Sequence, residues 1–87
     1  MSKITEVLQE VEAERHRQEL RWGDQRQHPL FTYNAILVEE VGEVSKALVE
    51  EHFGSGDITQ AREELIQVAA VACAMVEAID YRIKVLG

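Results

Sequence analysis

Between Leu65 and Val76 the chain reads LIQVAAVACAMV, with Gln67 as the only polar side chain. A helix with no polar face must be covered on every side, and a short chain has few other elements to do it. Ala69, Ala70, Ala72 and Ala74 let a neighbouring helix approach closely. The run therefore predicts an all-α helical bundle with an antiparallel pair of long helices, oligomerising through the apolar third helix against another copy of the chain. One proline and 46% hydrophobic residues favour helices over a many-turned β fold.

The remaining segments fit one domain spanning 1–87. Ser2 is placed to cap a first helix whose Ile4, Val7, Leu8 and Val11 follow three-and-four spacing, and Gly23 offers a left-handed stop. The first half of that helix is expected to pack, and the charged second half, AERHRQELRW, to be exposed or to face a cleft. Residues 23–31, GDQRQHPLF, form the longest polar, irregular stretch, carrying Arg26 and His28 between Trp22 and Phe31. Such a loop suits a planar, charged ligand, or is simply a connector. Thr32 is expected to cap a second helix running to about Phe53. Gly54-Ser55-Gly56 breaks the chain, and Asp57 with Gln60 has the form of a capping box opening the third helix, which runs to about Val85.

Nine basic against sixteen acidic residues give a net charge of -7, which argues against nucleic acid or an anionic membrane as the main partner. The longest apolar run, Val68 to Val76, is about half of a membrane span. Met1 to Glu12 lacks the apolar core of a signal peptide. Cys73, the single cysteine, reads as a small core residue in a reducing compartment. A cytoplasmic location is the expectation.

The second helix carries the chemistry. Leu37, Val41, Val44 and Leu48 have the recurrence of a buried stripe, yet Glu39, Glu40 and Glu43 lie in its middle. At about 100° per residue, Glu40 and Glu43 fall beside that stripe, where like charges repel and water is partly excluded. In an antiparallel hairpin about Ser55, Glu43 faces Gln67, Glu40 lies a turn further along, and Glu64 is within a turn of the same level. Three carboxylates and an amide oxygen make a partial shell for Mg²⁺, with Mn²⁺ as the alternative. The competing reading is a solvated acidic face. Glu77 and Asp80 share the spacing, but the hairpin sets them beside Leu30 to Tyr33, away from the other acids.

The pattern Glu39-Glu40-Val41-Gly42-Glu43 followed by Glu64-Leu65-Ile66-Gln67 resembles the EExxE…ExxD signature of the all-α nucleoside triphosphate pyrophosphohydrolases, the MazG-like proteins and dimeric dUTPases. Trp22 with His28-Pro29 is similar to a segment of the small dCTP pyrophosphatase branch. The resemblance covers about Glu14 to Ala78, and Gln67 stands where the family has aspartate. It implies a homodimer or a dimer of dimers that cleaves a (d)NTP between its α and β phosphates, with Glu40, Glu43 and Glu64 as metal ligands and Glu39 aligning or deprotonating the attacking water. Arg15, Arg17, Lys46 and Arg62 are candidates for the outer phosphates, each equally readable as a surface charge. Trp22 is a candidate base-stacking residue, or a core anchor. Two other readings stand beside the enzyme: a catalytically silent member that binds nucleotide or a protein partner, which Gln67 favours, and a plain helical oligomerisation module.

Overall fold

The computed structural model describes residues 2–24 and 27–86, the side chain of Leu86 excepted. Three helices follow in order: α1 over Lys3–Trp22, α2 over Leu30–His52 and α3 over Ile58–Leu86. Helices are the only regular elements among these residues, as the sequence predicts. At α1, Ser2 Oγ accepts the Thr5 N–H at 3.2 Å, and Gly23, at φ 77°, ends the helix by donating to the Glu19 carbonyl at 2.8 Å. Asp57 caps α3 by accepting the Thr59 N–H at 2.9 Å.

α2 departs from expectation at its start. It begins two residues before Thr32, and its N-cap is Pro29, with no side chain capping it. Pro29 sits at φ -57°, already close to helical, so the chain enters the helix there without needing a hydroxyl. The Thr32 side chain is thereby released from capping.

α3 lies between the other two. It packs extensively on both α2 and α1, while α1 and α2 scarcely meet. The three helices thus form a layer with α3 in the middle, 49 × 33 × 22 Å along its principal axes. α2 and α3 are antiparallel: Tyr33, near the start of α2, packs on Ala74 and Ala78 late in α3, with Leu30 and Met75 closing over them. Their connection is tight enough for Ser55 and Gly56 N–H groups to return to the Glu50 carbonyl, at 2.9 and 3.0 Å. α1 runs in the same sense as α3, with Glu10 beside Arg62 and Arg15 beside Glu77.

The buried set is mostly alanine, Ala47, Ala61, Ala70, Ala74 and Ala78, together with Val11, Tyr33, Val44 and Val71. Alanine allows the close approach that a central helix requires, but each one removes little apolar surface from water. Two expectations are overturned by this geometry. The residues of α1 that pack are Val11, as expected, and Arg15 and Gln18 from the charged second half, whereas Ile4 and Leu8 are exposed. α3 holds α1 at both levels, through Glu10 and Arg62 and through Arg15 and Glu77, and the second pair draws Arg15 into the interface. Cys73 is exposed rather than in the core, since it lies on a face of α3 that neither neighbour fully covers.

Candidate functional site

The face of α2 that meets α3 runs Tyr33, Ile36, Glu40, Val44, Ala47, at the three-and-four spacing of one helical stripe. Glu40 occupies a core-facing position in that stripe and is partly buried. Burial raises its carboxyl above the ordinary carboxylate range; a hydrogen bond with Glu64 of α3, and then the charges of Glu64, Glu39 and Glu43, raise it further. The hairpin therefore brings Glu40 and Glu64 together across the α2–α3 seam. Glu39 and Glu43 stand exposed on either side, close enough to be felt electrostatically.

The donor set suits a hard cation, because it is all carboxylate oxygen and its crowding is relieved by positive charge. Mg²⁺ is commonly held by one or two carboxylates with water and phosphate completing its shell, and Glu40 with Glu64 meets that requirement. Among the described residues no three Asp, Glu, His or Cys side chains stand close enough together to enclose a metal ion by themselves.

Gln67, by contrast, lines a cleft between α3 and α1 together with Glu10, Glu14, Arg17, Arg62 and Glu63. Both cations of that cleft are engaged. Arg62 grips Glu10 with two donors, one of them at 2.9 Å, which holds the Glu10 carboxyl below its ordinary range, and Arg17 pairs with Glu14 at 2.8 Å. Arg15 is more deeply committed: at 8% exposed, it reaches Glu77 at 2.6 Å and Glu19 at 3.7 Å, and its Nη1 is buried with no hydrogen-bond partner among the described residues. Of the expected phosphate contacts, Lys46 alone is exposed with no ion pair recorded among the described residues. Arg26 lies outside the described residues.

A second concavity opens at the start of α2. Trp22, His28, Thr32, Tyr33 and Ile36 line a cavity of about 320 Å³. Trp22 is half-exposed at its rim with the Arg21 guanidinium 5.5 Å from its ring. The His28 ring meets Tyr33 edge-on, at 6.1 Å between centroids and 74° between planes. Arg82 of α3 holds this segment down by donating to the His28 carbonyl at 2.5 Å and to the Ala78 carbonyl at 3.2 Å. Ile36, the last cavity residue, precedes Glu40 by one helical turn, about 6 Å along the axis.

Thus Trp22 and His28 line one cavity, and Glu40 meets Glu64, whereas the level expected from the hairpin, Glu43 opposite Gln67, is not the one observed. Tyr33, Ile36 and Arg82 are not marked as site residues by the sequence, and Thr32 is marked there only as a cap. Thr32, Tyr33 and Ile36 share the spacing that carries Glu40, which was the available signal; nothing local marks Arg82. Compared with protein-family models, curated proteins and solved structures, the chain matches none.

Proposed function

We propose that this protein is a Mg²⁺-dependent nucleoside triphosphate pyrophosphohydrolase, cleaving a (d)NTP between its α and β phosphates to a monophosphate and pyrophosphate. The observation that carries the reading is the Glu40–Glu64 pairing across the α2–α3 seam, one helical turn from an aromatic cavity. A triphosphate whose base enters that cavity extends its phosphates toward the acids. Glu39, Glu40, Glu43 and Glu64 correspond to acids of the family the sequence resembles, with Gln67 in place of its aspartate.

In this reading Glu40 and Glu64 hold the cation, with Glu43 beside them, while Gln67, expected as a fourth donor, lines the α1–α3 cleft instead. The cation supplies charge neutralisation for the triphosphate, the main requirement of phosphoryl chemistry. Glu39, exposed and adjacent to Glu40, takes the proton of the attacking water. Lys46, one turn beyond Glu43, meets the outer phosphates. Arg15 and Arg62 join them only by leaving Glu77 and Glu10. Trp22 and His28 enclose the base. We further propose that the working unit is a homodimer or a dimer of dimers in the cytoplasm. Val41 and Leu48 of α2 and Leu65 and Val76 of α3 are each about half-exposed in the single chain, and the alanine core buries little surface without a second copy.

A second reading has its own observation. Gln67 lines the α1–α3 cleft among Arg17 and Arg62, which favours a catalytically silent, nucleotide-binding or protein-interaction role on the same scaffold.

The test is pyrophosphate release from a panel of canonical and modified nucleoside triphosphates with Mg²⁺ or Mn²⁺, for wild type, Glu43→Ala and Gln67→Asp. Release by the wild type and its loss in Glu43→Ala is the expected result. Activity in Gln67→Asp alone supports the silent reading, and silence in all three overturns the enzyme.

A further inference from the structure

Thr32 is the third residue of α2, so the position four residues before it, His28, lies outside the helix. A helical threonine can turn its hydroxyl onto the carbonyl three or four residues back. Here the His28 carbonyl is taken by Arg82, and Pro29 has relieved Thr32 of capping. The Thr32 backbone N–H returns to the Pro29 carbonyl at 3.0 Å, while its side chain makes no hydrogen bond among the described residues and lines the cavity. The sequence, which makes Thr32 a cap, conceals this.

The cavity's lining defines what fits it. Its walls are the Trp22, Tyr33 and Ile36 side chains, so a sugar or a phosphate would leave most of the surface without complementary contacts. A purely aliphatic ligand would in turn bury the Thr32 hydroxyl and the His28 ring unpaired, which is costly. A ring with apolar faces and a polar edge satisfies both: its faces lie against aromatic walls and its edge meets a hydroxyl, which both donates and accepts.

We propose that Thr32 is a specificity-determining residue, whose hydroxyl reads the polar edge of a planar heteroaromatic ring held between Trp22, Tyr33 and Ile36. The identity of that ring as a nucleobase rests on the pyrophosphohydrolase reading; the role of Thr32 in the cavity does not. Sites built to pair a polar group discriminate strongly against ligands or variants that lack it, whereas apolar walls discriminate weakly. Base preference should therefore reside in Thr32 more than in Trp22.

Trp22 is the sole tryptophan, so its indole N–H gives a single NMR signal at the cavity rim. Adenosine, guanosine, cytidine and uridine are titrated against wild type, Thr32→Val and Thr32→Ser while that signal is followed. Nucleosides carry no phosphate, so the acids are not called on. We expect at least one nucleoside to shift the signal saturably, with affinity falling about tenfold in Thr32→Val and returning in Thr32→Ser. Unchanged melting temperatures show that the valine variant is folded. The proposal is overturned if no nucleoside shifts the wild-type signal, or if Thr32→Val binds all four as the wild type does. Nucleoside binding that depends on Thr32 without pyrophosphate release removes the enzymatic reading and leaves this one standing. Pyrophosphate release with a base preference unchanged in Thr32→Val does the reverse.

Discussion

Arg15 Nε lies 2.6 Å from Glu77 Oε2, joining α1 to α3 through a guanidinium that is almost wholly buried and a carboxylate that is half-exposed. Removing Glu77 leaves the buried cation with only the more distant Glu19, at 3.7 Å, which is worse than never having buried it. Glu77→Gln keeps the size and loses the charge, and is expected to destabilise the chain by about 1–2 kcal/mol. Arg15→Met keeps the packing stem and discards a group whose Nη1 has no partner, so its loss should be smaller. Urea unfolding of the two variants checks the order; a Glu77→Gln variant as stable as wild type would show that the pair contributes nothing.

The Glu40 carboxyl titrates above its ordinary range because of burial first and Glu64 second. In the window between the ordinary and the raised pKa, the folded chain keeps a proton that the unfolded chain has released. Its contribution is fully present below the ordinary value and is lost as pH rises through the folded value. Melting temperature should therefore fall more steeply in wild type than in Glu40→Gln as pH is raised from about 4 to 7. At the upper end, added Mg²⁺ should recover the loss in wild type and not in the variant. Parallel profiles would mean that the pair carries no strain.

Two glycines in the α2–α3 turn differ in kind. Gly54 holds φ at 85° in open space, so Gly54→Ala should cost about 1 kcal/mol, the penalty of a left-handed backbone. Gly56 approaches α2 so closely that an added Cβ would lie 2.9 Å from Glu50 Cβ and 3.1 Å from backbone atoms of Glu50 and Glu51. Gly56→Ala must move the last turn of α2, and is expected to cost about 2 kcal/mol. Denaturant midpoints give the ranking, and equal effects would contradict the close approach.

Arg82 pins the carbonyl of His28 to the end of α3. Arg82→Met should leave the α2–α3 core in place and loosen the start of α2. Loss of about 1 kcal/mol locally would speed amide exchange at Phe31 and Thr32 about fivefold, with Ala70 and Val71 unchanged. Uniform acceleration across all three helices would instead make Arg82 a determinant of global stability.

The parts of this molecule legible in its sequence are those governed by nearby residues. Ser2 caps α1, Gly23 ends it and Gly54 turns the chain, since each depends on backbone geometry within a few positions. Counting outward from Ser55 set Glu43 opposite Gln67; the helices instead bring Glu40 to Glu64, a different level and a different pair. Hydropathy periodicity found Val11 on α1 and missed Arg15 and Gln18, because an apolar pattern cannot register an arginine whose burial depends on a partner, Glu77, sixty-two residues away. It misplaced Cys73 for the opposite reason: an apolar run says that burial is wanted, not which helix supplies it. Thr32 was assigned the commonest role of its type, and Pro29 had already taken that role.

α1 leans on α3 and hardly on α2. Such an arm can peel away as a unit while the hairpin, with its acids, stays folded. Its departure would leave Glu77 and Arg62 of α3 without Arg15 and Glu10, the two pairs that tie the arm down, while Ala74 and Ala78 stay covered by Tyr33 of α2. The arm is thus clasped largely by charge and the hairpin by apolar packing, so added salt should loosen the first before the second.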